Sequence, residues 1–156
     1  ADCFSGDLQE KYTQWRCDQI TRLVKAVHDE AKKIRPDIAI SAAVFGSYPS
    51  CRASVAQDWP EWIKAGYLDF VCPMDYTPYN DSFRNLAARQ LEWAGAVPCY
   101  PGIGQSTWAD RLDIVKLIEQ IRITRELGTG GFTVFNYGTA EYAEIIPLCG
   151  MGITKK

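Results

Sequence analysis

Ile38-Ala39-Ile40-Ser41-Ala42-Ala43-Val44 is a short, almost uninterrupted apolar run. A strand with one wet face alternates apolar and polar side chains, so a run without that alternation suits a strand buried on both faces, as in a parallel sheet. The flanks agree. Upstream, Leu8 to Ile34 reads as a long amphipathic helix in which Trp15, Ile20, Leu23, Val24, Val27, Ala31 and Ile34 recur at the helical period and form one apolar stripe. Arg35 precedes Pro36, which pushes it out of the helical region and ends the helix. Downstream come a Gly/Ser/Pro-rich loop from Gly46 to Ser54 and a short helix from about Trp59 to Lys64, closed by Gly66.

The same pattern then repeats. Leu68-Asp69-Phe70-Val71-Cys72-Pro73-Met74 is the second strand, and a helix from about Ser82 to Trp93 leads to a third near Val97-Pro98-Cys99-Tyr100. The next amphipathic helix carries Leu112, Val115, Ile118, Ile121 and Leu127, with Thr107 and Asp110 as a capping box and Gly128 as its stop. Gly131 to Asn136 is the last strand, and Thr139 caps a final short helix through Ile146. One helix followed by four strand–helix units specifies an α/β fold with a parallel sheet and right-handed crossovers. Such units build either a small doubly wound sheet or half of a (β/α)₈ TIM barrel, which takes about 250 residues when whole. Half a barrel leaves two strand edges and an apolar inner surface open, and so invites self-association.

Composition narrows the function. The 156 residues suit a single domain spanning 1–156, and a net charge of -2 offers no basic face for nucleic acid or anionic membrane. No apolar run approaches the roughly 20 residues that span a bilayer, and the chain shows no signal peptide. The six cysteines lack paired C-x-x-C spacing, so no metal site is expected, and Cys72 and Cys99 read as buried thiols. His28 is the only histidine and lies mid-helix, which argues against a Ser-His-Asp or Cys-His pair. Gly128-Thr129-Gly130-Gly131 lacks the Lys-Ser/Thr of a phosphate loop, and no cofactor is expected.

In either architecture ligands sit at the carboxyl ends of the strands. That rule selects Phe45 to Tyr48 with Gln57-Asp58-Trp59, then Asp75-Tyr76-Thr77, then Gly102 to Ser106 with Trp108, and Asn136-Tyr137-Gly138. Carboxylate, amide and aromatic side chains without Lys or His suit a neutral polyhydroxylated ligand: the polar groups bond hydroxyls and the rings cover sugar faces. Asp75, just past a strand end, is the candidate acid/base or hydroxyl acceptor, against a plain turn-forming aspartate. Tyr76, Asp58, Trp59, Gln105, Trp108, Asn136 and Tyr137 are the candidate substrate-binding residues. Asp58 also reads as a helix cap before Pro60 with Glu61 as its partner, and each aromatic as simple packing. Asp69 is on the amino-terminal, stability face, and Glu141 in the first turn of the last helix.

Gln57-Asp58-Trp59, Trp62, Gly66-Tyr67-Leu68-Asp69-Phe70-Val71 and Pro73-Met74-Asp75-Tyr76 together resemble the bacterial glycosyl-hydrolase-like family ten proteins. Lys32 to Asp37, Pro101 to Gly104 and Gly131 to Tyr137 extend the resemblance over most of the chain. It implies the C-terminal half of a (β/α)₈ barrel, strands five to eight, as a fragment of a larger protein that is secreted or held in the cell envelope. It also implies hydrolysis of O-glycosidic bonds in an oligosaccharide or polysaccharide by paired carboxyl groups. Met74-Asp75-Tyr76 resembles the sixth strand of chitinase-type barrels too, where the order is Met-x-Tyr-Asp. Two departures matter. The resemblance places the start of the chain after the fourth strand, where such barrels carry a principal carboxylate, and Tyr100-Pro101-Gly102-Ile103-Gly104 has no glutamate where two-glutamate barrels place one. The isolated chain is therefore expected to be catalytically incomplete. The rival readings are a non-catalytic carbohydrate-binding domain, a stand-alone half-barrel, and a flavodoxin-like domain, for which Gly46-Ser47-Tyr48-Pro49-Ser50 is a poor phosphate loop.

Overall fold

The computed structural model describes residues 3–105, 114–139 and 141–154. Helix α1 occupies Leu8–Ile34, the span that periodicity marks out, and ends at Arg35 in extended backbone (φ -142°, ψ 97°), as the residue before a proline must. Its apolar stripe is not single. Thr13 and Cys17 are buried, while Ile20 and Val24 pack on the core. Trp15, Leu23, Val27 and Ile34 project from an adjoining arc into solvent, Ile34 at 86% exposure. The helix is apolar over a wider arc than the elements beside it cover.

Strand β1 (Ser41–Phe45) pairs in parallel with β2 (Phe70–Met74), from Ser41 opposite Phe70 to Phe45 opposite Met74. Two helices lie between them, α2 (Ser50–Val55) and α3 (Trp59–Lys64). The first falls where the composition suggests a loop. Cys51 N–H bonds Ser47 O and Arg52 N–H bonds Pro49 O, so a proline at the helix start, where no partner is needed for its missing N–H, nucleates one short turn. Ala56 ends it in the left-handed region (φ 58°).

Strand β3 is displaced from its expected place. It runs Gly102–Gly104, and of Val97 to Tyr100 only Cys99 forms a bridge, to Val71. Pro98 and Pro101 carry no N–H for the ladder, so pairing is interrupted and resumes beyond them. Helix α4 (Asn80–Ala94) leads into β3, and α5 (Ile114–Leu127) leads from it to β4 (Thr133–Phe135). A π-helical stretch, Glu141–Ile145, then runs into α6 (Ile146–Met151), past the end expected at Ile146. The capping pair Thr107 and Asp110 lies outside the described residues.

The strand order is β1-β2-β3-β4, all parallel. A doubly wound sheet reverses its strand order to place helices on both faces. Here the order never reverses, so right-handed crossovers send every intervening helix to the same face. That excludes the flavodoxin-like arrangement and is consistent with half of a TIM barrel.

Two cores fill the space between sheet and helices. One gathers Val44, Trp59, Trp62, Leu68 and Val71; the other gathers Phe83, Ile103, Leu117 and Ile121. Trp59 is fully buried, edge-on to Tyr48 (5.9 Å) and Trp93 (6.0 Å). Asp69, at the amino end of the sheet, accepts Ile40 N–H (2.7 Å) and Lys32 Nζ (3.2 Å), which ties β2 to the chain leaving α1. The Ile40 bond, with Lys32 after it, holds that carboxyl below the usual carboxylate range.

Truncating the central indole removes its contacts with Tyr48 and Trp93 from a core that it shares with Val44, Leu68 and Val71. Trp59→Ala is expected to lower the unfolding free energy by about 3–5 kcal/mol, read by urea denaturation. A loss under about 1 kcal/mol, the size of an ordinary surface change, would show that this ring does not anchor the core.

Candidate functional site

Alternation along the strands gives the carboxyl edge of the sheet two sides. On β1, Val44 is buried toward the helices while Ser41, Ala43 and Phe45 face the open side and are exposed. On β2, Val71 and Pro73 are buried, and Phe70, Cys72 and Met74 take the open side, half-buried. Ile103 of β3 enters the second core, which leaves Gly102 and Gly104 on the open side. On β4, Val134 turns toward Leu117 and Ile121, so Thr133 and Phe135 face the open side.

Consecutive residues Asp75 and Tyr76 diverge accordingly. Tyr76 stacks on Phe135, ring centroids 5.3 Å apart at 27°. The pair bridges β2 and β4 over the glycine strand: a Cβ on Gly102 would lie 3.2 Å from Tyr76 Cε1 and 2.8 Å from Pro73 O. Glycine at 102 makes room for the ring. Burial, then the nearby Asp75 carboxyl, push the Tyr76 hydroxyl up from its ordinary value, so it stays a hydrogen-bond donor. An aromatic surface with a hydroxyl at its rim suits the face of a sugar ring.

Asp75 points the other way, toward α4, and is 1% exposed. Its Oδ1 accepts Gln90 Nε2 at 2.6 Å. Its Oδ2 is buried without a hydrogen-bond partner among the described residues. Desolvation pushes the carboxyl up to about 7, against the opposing pull of the Gln90 bond. A carboxyl that is half neutral at physiological pH can give or take a proton.

The other expected residues are placed as follows. Asp58 is buried at the start of α3, but its side chain makes no cap bond. Instead it accepts Arg52 Nε at 2.7 Å and Tyr48 OH at 3.2 Å, and Arg52 continues to Gln14 and Glu10 of α1. The carboxylate fastens α2 and α3 to α1 and presents no free edge to a ligand. Trp59 is core, with no ring face open to solvent. Gln105 is buried just past β3. Asn136 and Tyr137 are exposed after β4, and Tyr137 packs edge-on to Tyr142 at 6.2 Å. Trp108 lies outside the described residues. The structure thus brings Asp75 and Tyr76 to one strand end and takes Asp58 and Trp59 into the framework.

Two residues escaped the sequence reading, and a third, Glu141, has surroundings that its place in the sequence does not show. Phe135 and Gln90 look like an ordinary strand aromatic and an ordinary helix surface amide. Glu141 looks like an acidic helix start, yet it is 3% exposed and folds back beneath the loop, where a Gly138 Cβ would lie 2.6 Å from its Oε2. It borders a cavity of about 200 Å³ between β4, α5 and α6, walled by Phe132, Val134, Ile145 and Ile146. Cys51 and Cys99 are driven up to about 11 and about 12 by burial, so both are inert thiols at neutral pH. Among the described residues no cluster of His, Cys, Asp or Glu could hold a metal, and no helix is long and apolar enough to cross a membrane.

The profile of the glycosyl hydrolase-like 10 family matches residues 1–98. The chain belongs to that family. The glycosyl hydrolase-like 10 match takes in α1 to α4, and with them Asp58, Trp59, Asp75, Tyr76 and Gln90; Gln105, Asn136 and Tyr137 lie beyond it. No curated protein and no solved structure matches the chain.

Burial of Asp75 makes stability depend on pH. Its folded value is about 7, and its unfolded value about 3.9, so between the two the native state holds the extra proton. The neutral carboxyl contributes fully below about pH 4, and its contribution is lost as pH rises through about 7, on the order of 4 kcal/mol across the window. The unfolding free energy of the wild type minus that of Asp75→Asn is therefore expected to fall over this range in urea titrations. A difference that stays flat would show the carboxyl to be solvated.

Proposed function

We propose that this chain is the strand-five-to-eight half of a glycoside-hydrolase barrel, where it supplies one wall of the sugar site and one acid/base, Asp75. The observation that carries this reading is Asp75 itself: a carboxyl at the carboxyl end of a parallel strand, held near neutrality by burial. Cleavage of an O-glycosidic bond needs one carboxyl as acid and a second as nucleophile or base. The acid must be protonated at working pH, which an ordinary aspartate is not and Asp75 is in large part. In this structure Oδ2 is buried on the α4 side, so the acid role requires that it come to face the sugar; its proton then passes to the leaving-group oxygen as the bond to the anomeric carbon breaks. The second carboxyl, or water activated by it, attacks that carbon. The second carboxyl is assigned to the half that completes the barrel, so the chain by itself is inactive. Tyr76 and Phe135 form the ring-stacking surface, and Asn136 and Tyr137 the polar rim after β4. An oligosaccharide or polysaccharide is the substrate, and the family resemblance supports a secreted or cell-envelope location.

The burial of Asp75 favours a second reading, a carbohydrate-binding domain in which this residue only braces the loop after β1. Asp75→Asn separates the two, because the amide still accepts the Gln90 bond but cannot donate a proton of the same acidity. In the complete barrel acting on a polysaccharide, this variant is expected to cut kcat by about 100-fold or more, with sugar affinity unchanged. Unchanged turnover with unchanged affinity would leave binding, not hydrolysis, as the function of this half.

A further inference from the structure

We propose that Gln90 is a positioning residue for Asp75: one buried amide holds the Asp75 carboxyl and the Gly46 carbonyl together and so sets the ends of β1 and β2 relative to each other. The inference rests on the acid role proposed for Asp75.

Gln90 lies on the buried face of α4 with Phe83, Ala87 and Ala94, spaced i, i+4, i+7 and i+11. On that otherwise apolar stripe a fully buried amide is costly unless its donors are used. Both partners of its nitrogen are acceptors from different strand ends: Asp75 Oδ1 at 2.6 Å and Gly46 O at 3.0 Å. Because the Gly46 atom within reach is its carbonyl oxygen, it is the nitrogen of the amide that must face this pair. The two N–H groups are thereby divided between β1 and β2.

Gly46 completes the case. A Cβ there would stand 2.0 Å from Asp75 Oδ1 and 2.9 Å from Gln90 Nε2. Its glycine answers to this close approach, since no left-handed backbone calls for it there. The bridge also distinguishes the carboxyl oxygens. Oδ1 is anchored by Gln90, and Oδ2, buried without a partner among the described residues, is left to carry the exchangeable proton. A methionine at position 90 would keep the volume but leave Asp75 Oδ1 without its donor and Gly46 O with the Tyr48 N–H alone. A glutamate would set a second carboxyl against the first, and the two would titrate as a coupled pair.

The test begins on the unaltered chain. The Gln90 side-chain NH₂ resonances are expected to move with pH with a midpoint of about 7, following Asp75, and to lose that transition in Asp75→Asn. In Gln90→Met the Asp75 midpoint is expected to move upward, because the donor that stabilises the carboxylate is gone. In the complete barrel the same variant is expected to lower kcat by about 100-fold with little change in KM, and to carry the alkaline limb of the pH profile upward with the acid. Melting curves check that the variant is folded. An amide signal blind to the Asp75 titration, or an Asp75 midpoint unmoved in folded Gln90→Met, overturns the bridge. The two readings fail separately. A shifted midpoint in Gln90→Met with full turnover in Asp75→Asn upholds the bridge and removes the acid role. Loss of turnover in Asp75→Asn with neither midpoint nor kcat changed in Gln90→Met removes the bridge and keeps the acid.

Discussion

Parallel strands carry apolar side chains to both faces of a sheet, and the described helices of this chain cover one face. The unreversed order β1-β2-β3-β4 makes that so, because right-handed crossovers then all pass on the same side. Both cores lie there, with Trp59 and Ile103 at their centres. The opposite face keeps Phe45 and Phe135 about half exposed. Among the described residues β1 and β4 each have a strand neighbour on one side only. On the helix layer, α1 also exposes an apolar arc with Trp15, Leu23, Val27 and Ile34. Open edges and an apolar inner face together are what closure into a barrel removes.

The same alternation that divides the faces divides the chemistry at the mouth. Residues 75 and 76 are neighbours in the chain, yet the pleat sends one to the helix side and the other to the open side. On the open side there is an aromatic surface, Tyr76 on Phe135, seated over Gly102 of β3. On the helix side there is a dry carboxyl, Asp75, clasped by Gln90. An aromatic surface tolerates solvent, whereas a carboxyl titrating near neutrality requires its removal, and the strand end supplies both within two residues.

Much of the fold was legible because it rests on periodicity. The helix from Leu8 to Ile34, the strand core from Phe70 to Met74 and the short helix from Trp59 to Lys64 all follow from spacing and from proline or glycine at their ends. Displaced elements had a local cause. β3 slipped past Pro98 and Pro101, which lack N–H donors, and α2 formed in a segment whose Gly, Ser and Pro content signals loop. The site was legible in part: strand-end position picked out Asp75 and Tyr76. Asp58 and Trp59 satisfy the same residue-type argument, and position in sequence does not reveal that Arg52 and Trp93 enclose them.

By itself the sequence determined the class of fold, the number and order of strand–helix units and the family, because these depend on local propensity and on repeating pattern. Tertiary structure alone decided that the helices share one face, that Gln90 and Gly46 meet Asp75 across 15 and 29 residues of chain, and that Tyr76 lies on Phe135. Those outcomes rest on contacts between residues distant in sequence, whose partners are chosen by strand order and register. A buried carboxyl and an exposed one are the same letter until the fold excludes water from one of them.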